Sequence, residues 1–382
     1  MSSRASPPAI PRLDAHQRKT GLLDARFRGF SCPQEGLDEA FLGLVTATYA
    51  RETMRVFLDR YAAALTDGGS GLVDLLNAWL RSETAFDAFW DPAIGQALSG
   101  IQTGDAAAAL SPAAILGLRA NALGCPGAWS LALPKPMRLQ WDRWLLPTAD
   151  RIAVACDDQA ARIRTGLRDA ERETLFTRTA EGWHCANAEA LSQFGTHDRR
   201  INVLSADALT SGGADTLDDS LPVAEHAPPE LLRVLRSVIP LQQVGDVRSG
   251  SVGDRFGIIY LSLGLNAVTM AESLVHEASH QYLNVLCRLG PVDDGTDTRL
   301  YYSPAMRTDR PLGRILVAYH AFANMLLFYR LCGAHRMPDD GYRAREAELV
   351  SQVEQLERPL RTNDALTDIG RGLRDPLMER LH

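Results

Sequence analysis

The chain has 382 residues, with 40 Lys and Arg against 47 Asp and Glu, a formal net charge of −7, 46 % hydrophobic residues and 23 % charged. That is an ordinary globular composition, enough for two or three domains of roughly 150 residues or one large one, with a core that needs neither disulfides nor a structural metal. An acidic chain without a run of lysines or arginines gives nucleic acid no basic patch to hold, so small molecules and peptides are the expected partners.

The six cysteines, Cys32, Cys125, Cys156, Cys185, Cys287 and Cys332, form no Cys-x-x-Cys pair, which argues against a thiolate zinc site. Scattered thiols of this kind fit a reducing, cytoplasmic setting. The first residues, Met1 to Pro8, contain no apolar signal core, and no stretch reads as the roughly 18 apolar residues of a membrane span. A cytoplasmic protein with no membrane partner is expected.

Residues 1–35, rich in Pro, Ser and Arg, read as an irregular arm. From Asp38 to Leu65 the apolar residues recur at helical spacing, and Asp67-Gly-Gly-Ser-Gly71 stops that helix. Further helices are predicted over 72–89 and 105–118, the latter interrupted or restarted at Pro112. Short β-prone runs follow at 151–156, 174–179 and 200–205, with a turn at Glu181-Gly182. Residues 207–229 gather Asp, Ser, Gly and Pro and read as a linker, dividing the chain into a region 1–229 and a region 230–382. Beyond it the pattern predicts a short helix over 230–239, a strand over 256–263, a helix over 267–289 closed by Gly290-Pro291, and helices over 312–331, 342–360 and 366–381. The expected fold is α+β and mainly α-helical, with a small mixed sheet and a zincin-like core of one strand followed by the motif helix.

That helix carries Leu274-Val-His-Glu-Ala-Ser-His280, a His-Glu-x-x-His motif. Positions i and i+4 lie one above the other on a helix, so His276 and His280 present two imidazoles to one metal ion. A third ligand is needed. The metzincin pattern would put Gly at 283 and His at 286, where this chain has Leu283 and Leu286. A gluzincin takes a Glu from a following helix, and residues 312–331 contain none. They do contain His320, the candidate third ligand, with Asp293 and Asp294 as weaker carboxylate candidates. Two chemistries stay open. In a zinc peptidase Glu277 is the general base beside the metal's water. In an Fe(II) oxygenase three protein ligands leave room for a 2-oxo acid and dioxygen, and a cation must grip the far carboxylate of the co-substrate. The segment Tyr301-Tyr-Ser-Pro-Ala-Met-Arg-Thr-Asp-Arg310 offers Arg307 and Arg310, with Tyr301 and Tyr302 as hydroxyl donors.

The stretch from about Gly257 to Arg330, about a fifth of the chain, resembles the family of HExxH-motif peptide β-hydroxylases. These use 2-oxoglutarate and modify ribosomally made precursor peptides. The matching residues are Ile259-Tyr-Leu-Ser262, Glu272-Ser-Leu-Val-His-Glu-Ala-Ser-His280, Tyr301-Tyr-Ser-Pro304, Arg310-Pro-Leu-Gly313 and Ala321-Phe322. The family often has Trp-Arg after the Ser-Pro, where this chain has Ala305-Met306 before Arg307, so Arg310 is the arginine that carries over. Some members place the downstream histidine a turn earlier, where Val317 stands, so His320 is a reading of this chain alone. The resemblance implies an Fe(II)- and 2-oxoglutarate-dependent hydroxylase acting on a side chain of a precursor peptide; residues 1–229, which the resemblance does not cover, are expected to recognise the peptide. The alternatives are a zinc peptidase and a non-catalytic peptide-binding module that keeps the motif helix for structure.

Overall fold

The computed structural model describes residues 22–33, 37–82, 106–142, 144–180, 182–186, 192–193, 202–203, 237–241, 249–251, 253, 257–262, 265–334 and 340–382. In chain order the elements begin with α1 (Leu22–Ser31), α2 (Glu39–Gly68), β1 (Gly69–Ser70), α3 (Leu72–Arg81), α4 (Ala106–Ala122), β2 (Gly127–Met137), β3 (Gln140–Trp141), β4 (Trp144–Leu145) and β5 (Ala149–Cys156). Next are β6 (Ala160–Leu167), β7 (Ala170–Thr179), β8 (Gly182–Cys185), β9 (Ser192–Gln193), β10 (Asn202–Val203), β11 (Ser237–Leu241), β12 (Ser249–Ser251) and β13 (Ile258–Ser262). The chain closes with α5 (Ala267–Leu286), the hairpin β14 (Leu300–Ser303) and β15 (Thr308–Pro311), then α6 (Leu312–Ala334), α7 (Asp340–Glu357) and α8 (Asp368–Leu381). It is a mixed α and β structure in which helices predominate and the sheets are small.

Two compact units form. One is residues 46–206; the other joins 9–45 to 207–382. The first is built on an antiparallel sheet in the order β1-β2-β5-β6-β7-β8. Its strands alternate as a half-buried sheet requires: Ile152 and Val154, Ala161 and Ile163, and Phe176 point inward, while Arg162, Arg164 and Glu173 face out. Helices α3 and α4 pack on β2. Asn121 on α4 accepts the indole N–H of buried Trp129 at 2.7 Å, so the helix and strand share a satisfied polar contact. The register of β2 on β5 slips between Ala132 and Met137, where Pro134 and Pro136 have no N–H to give the ladder.

In the second unit β11, β13 and β12 lie side by side, β11 parallel and β12 antiparallel to β13. Helix α5 follows β13 and packs along α6, while α7 and α8 cover α6. Helix α1 packs on α8 and α5, with Phe30 edge-on to Tyr282 at 6.0 Å between ring centroids. The arm expected over 1–35 is therefore helical from Leu22 to Ser31, and that helix belongs with the motif helix. Of the short helix expected over 230–239, residues 230–236 lie outside the described ones and the end needs correction. From Ser237 the chain is strand β11, because β-branched Val238 and Ile239 favour extended backbone and Ile239 precedes Pro240. Residues 207–229, the expected linker, lie outside the described ones, as do 83–89 and most of 200–205.

Contrary to the expectation from sequence, one helix is long and apolar enough to cross a membrane, Leu312–Cys332 on α6. Of its most apolar window, 78 % is buried inside the protein, where α5, α7 and α8 surround it. None of the six cysteines is in a disulfide.

Candidate metal centre

The motif helix is fixed before the motif begins. Asn266 caps α5, its side chain accepting the N–H of Thr269 at 2.9 Å. Leu274, Val275, Ala278, Tyr282 and Leu286 bury its inner stripe completely. His276 and His280 are left one turn apart on the same face. Their Nε2 atoms are 3.0 Å apart and the rings stand nearly perpendicular, at 89°. Two nitrogen ligands held at 2.0–2.1 Å by one ion sit about 2.8–3.4 Å from each other, so the pair fits a shared metal. The far side of His276 is closed by α6, with Met325 Sδ at 3.2 Å from Nδ1 and the Phe322 ring edge-on at 5.9 Å.

Burial, helped by the positive charge of Arg345, pushes the His276 imidazole down to about 4. Burial pushes His280 down to about 3, with His276 adding to the effect. Both rings are thus neutral near pH 7, the form that binds a metal. His276 nevertheless keeps 25 % of its side-chain surface accessible, so the ring is crowded by protein yet reachable.

The neighbouring carboxylate, Glu277, is turned toward strand β12. The Ser249 hydroxyl donates to its Oε1 at 2.7 Å, its Oε2 has no partner among the described residues, and only 2 % of the residue is exposed. Burial raises its pKa; hydrogen bonds from Ser249 and Ser251 offset part of that rise. Glu277 Oε1 lies 3.9 Å from His276 Nε2, close enough to act on a group bound there. One turn before the motif on the same face, Glu272 accepts the Tyr329 hydroxyl at 2.5 Å and pairs with Arg345 at 2.7 Å. Arg345 also reaches Glu348 at 2.7 Å.

The other residues expected at the site are elsewhere. His320 is completely buried on α6; its ring Nε2 and the Phe30 carbonyl lie 3.1 Å apart, and its Nδ1 has no partner among the described residues. The charge of His280 helps to lower the pKa of His320. Among the described residues no group of three His, Cys, Asp or Glu side chains is gathered to hold a metal. Among the described residues neither Arg307 nor Arg310 forms a hydrogen bond or an ion pair with His276, His280 or Glu277. Cys287, just past the end of α5, feels the charge of Arg314 near the start of α6, whereas His276 meets Phe322 and Met325, so the two helices run antiparallel. At 1.5 Å per residue, Leu312, where the hairpin joins α6, is about 15 Å along that helix from Phe322. Arg307 occupies the hairpin turn with φ of 51°, and Tyr302 is 51 % exposed. Arg310 sits across from Tyr301 in the hairpin ladder. The Tyr301 hydroxyl donates to Asp297 at 2.6 Å, a carboxylate that Arg299 and Asn363 also hold. Asp293 and Asp294 serve their own loop: each accepts a backbone N–H two residues on.

No family model matches the chain, and no curated protein matches it.

Sequence reasoning missed Ser249, Ser251, Glu272, Met325 and Arg345. Only Glu272 left a signal in the sequence, because it continues the 276/280 stripe one turn back. The others arrive from separate elements.

The buried imidazoles give the metal-free protein a definite acid response. His276, His280 and His320 all titrate below the ordinary value near 6.5, His320 through burial at about 4. A depressed folded-state pKa contributes stability that is present above pH 6.5 and lost as pH falls through about 4 and about 3. The urea midpoint of the metal-free protein is expected to fall steadily from pH 6.5 toward pH 4. A midpoint unchanged over that interval would show that the rings protonate freely in the folded state.

Proposed function

We propose that this protein is an Fe(II)- and 2-oxoglutarate-dependent oxygenase that hydroxylates a side chain of a ribosomally made peptide, with His276 and His280 as metal ligands. The observation that carries it is the pair of neutral imidazoles meeting Nε2 to Nε2 at 3.0 Å on a fixed helix. When bound, the iron with 2-oxoglutarate and dioxygen supplies the oxidising power, one oxygen atom entering the peptide and the other leaving in succinate as carbon dioxide is lost. The protein's own groups hold and orient. Met325 and Phe322 keep His276 from rotating away. Glu277, anchored by Ser249, fixes the ligand helix against β12 and keeps a carboxylate beside the site. The strand β13 leading into α5, with β12 over Glu277, suits a zincin-like core.

The co-substrate's far carboxylate needs a cation, and Arg345 is the one whose charge reaches His276. Glu272 and Glu348 engage three of its five N–H donors and hold the guanidinium in place. Arg345 therefore takes the role that sequence reasoning gave to Arg310 and Arg307.

Calorimetric titration under anaerobic conditions tests this reading. 2-Oxoglutarate should bind the iron-loaded protein and not the metal-free one. Arg345→Gln should weaken that binding about tenfold or more, the worth of a charge-assisted pair, while Arg310→Gln leaves it unchanged. Absence of any binding to the iron form would remove the oxygenase reading.

A zinc peptidase remains the second reading, favoured by one observation. The unpartnered Oε2 of buried Glu277, with its raised pKa, is the arrangement of a general base.

A further inference from the structure

The unit formed by residues 46–206 holds a cavity of about 380 Å³ lined by its own residues. Leu146, Pro147 and Leu167 give it apolar walls, and exposed Arg138 and Arg172 stand at its rim. Thr165 lines it from the sheet. Its hydroxyl is buried without a partner among the described residues, and the residue is 3 % exposed. Thr165 and Arg172 are directly opposite in the β6–β7 ladder, so their side chains leave the same face.

Several other charges of this sheet have a partner. Glu173 faces Arg162 and Arg164, Asp150 faces Arg151, and Arg178 lies over the Trp183 ring. Among the described residues no carboxylate pairs with Arg138 or Arg172. A chain with a net charge of −7 thus keeps, at the rim of one apolar cavity, two guanidinium groups with no carboxylate partner among the described residues. The two cations come from different elements, one just after β2 and one on β7. A cavity of this volume is at the small end of ligand sites and takes a few side chains.

We propose that this cavity docks an acidic, apolar segment of a peptide, its aliphatic side chains inside and its flanking carboxylates on Arg138 and Arg172. A peptide amide or carbonyl entering the cavity also meets the Thr165 hydroxyl, which otherwise goes unsatisfied. The inference rests on the proposed function only in taking the substrate to be a peptide. It places recognition on a surface separate from the metal pair, so docking requires neither metal nor turnover.

The test is fluorescence anisotropy on the full chain, with a fluorescein-labelled Gly-Glu-Leu-Leu-Glu-Gly amide as the probe. The probe should bind in low salt. Its affinity should fall about tenfold in Arg138→Gln and again in Arg172→Gln, the loss expected for one charge-assisted pair each. Both side chains are exposed, so unchanged urea midpoints should accompany the loss. Thr165→Val should fold and bind more weakly, and His276→Ala should bind as the parent does. A probe with Gln in place of Glu should bind at least tenfold more weakly, and a hundredfold excess of glutarate should fail to displace the acidic probe. The proposal is overturned by no binding to the parent chain, by equal binding to the double arginine variant, by equal affinity for the Gln probe, by loss of binding in His276→Ala, or by displacement with glutarate. None of these outcomes bears on iron or 2-oxoglutarate binding.

Discussion

His276→Ala and His280→Ala should each abolish stoichiometric metal binding while the chain stays folded. The two Nε2 atoms meet at 3.0 Å, and each supplies one bond to the ion. Removing one leaves a single imidazole, which no longer discriminates the site from any surface histidine. The loss in affinity should be about a hundredfold or more, beyond the 10- to 100-fold typical of groups that only orient a ligand. Folding should survive because the imidazole side of the helix is not what anchors it. The anchoring stripe, Leu274, Val275, Ala278 and Tyr282, is untouched and fully buried. Metal content after loading and gel filtration reads the first effect, and a cooperative urea transition reads the second. Full occupancy in either variant would place the metal elsewhere.

The second large effect separates the two chemistries at one residue. If Glu277 is a general base, Glu277→Gln should lower turnover by about 10²–10⁴-fold in the zinc form, with the peptide cleaved by the parent enzyme. If the protein is an oxygenase, the same variant should retain turnover within about tenfold, and the peptide should return uncleaved and one oxygen atom heavier. The variant has a stability signature as well. A carboxyl whose folded pKa is raised contributes stability present at low pH and lost as pH rises through that pKa. Glu277→Gln removes this loss, so the metal-free variant should gain on the parent as pH rises above the ordinary carboxylate value of 4.5. A variant that gained nothing over that range would mean that Glu277 is solvated or paired when folded. Cleavage by the zinc form that ignores 2-oxoglutarate and vanishes in Glu277→Gln would promote the peptidase.

Much of the secondary structure was legible because apolar periodicity is a local property. The runs at 38–65, 267–289 and 312–331 correspond to α2, α5 and α6. Strands were harder to read. β2 contains Pro134 and Pro136, which argue against a strand until its ladder is seen to slip there. In β6 Arg162 and Arg164 face outward between buried residues, and their charge masks the alternation. The site was legible only as far as it lies on one helix. The 276/280 spacing follows from helical geometry, whereas the environment of those rings comes from Met325, Ser249 and Arg345. These meet only through the antiparallel packing of α5 and α6, the course of β12 and the placing of α7, none of which has a signature in local sequence. The same antiparallel packing sets the start of α6, next to Arg310 in sequence, against the end of α5, while the pair meets the middle of α6. His320 was a histidine in an apolar helix, and the carbonyl that occupies it belongs to Phe30, 290 positions away.

That last contact bears on how the protein is made. The Ser31 hydroxyl donates to the carbonyl of Leu373, 342 positions later, and Asn324 donates to the carbonyl of Ser31. A ribosome adding about 5–20 residues per second takes about 20–70 s to travel that distance. For much of that interval Phe27 and Phe30 on α1 lack the helices that bury them, while residues 46–206, contiguous in sequence, have every strand of their main sheet once residue 185 is made. The surroundings of the metal helix are thus completed only after α8 is made. A fragment beginning at residue 207 would contain the whole motif and still lack α1, leaving His320 and Asn324 facing an unfilled groove.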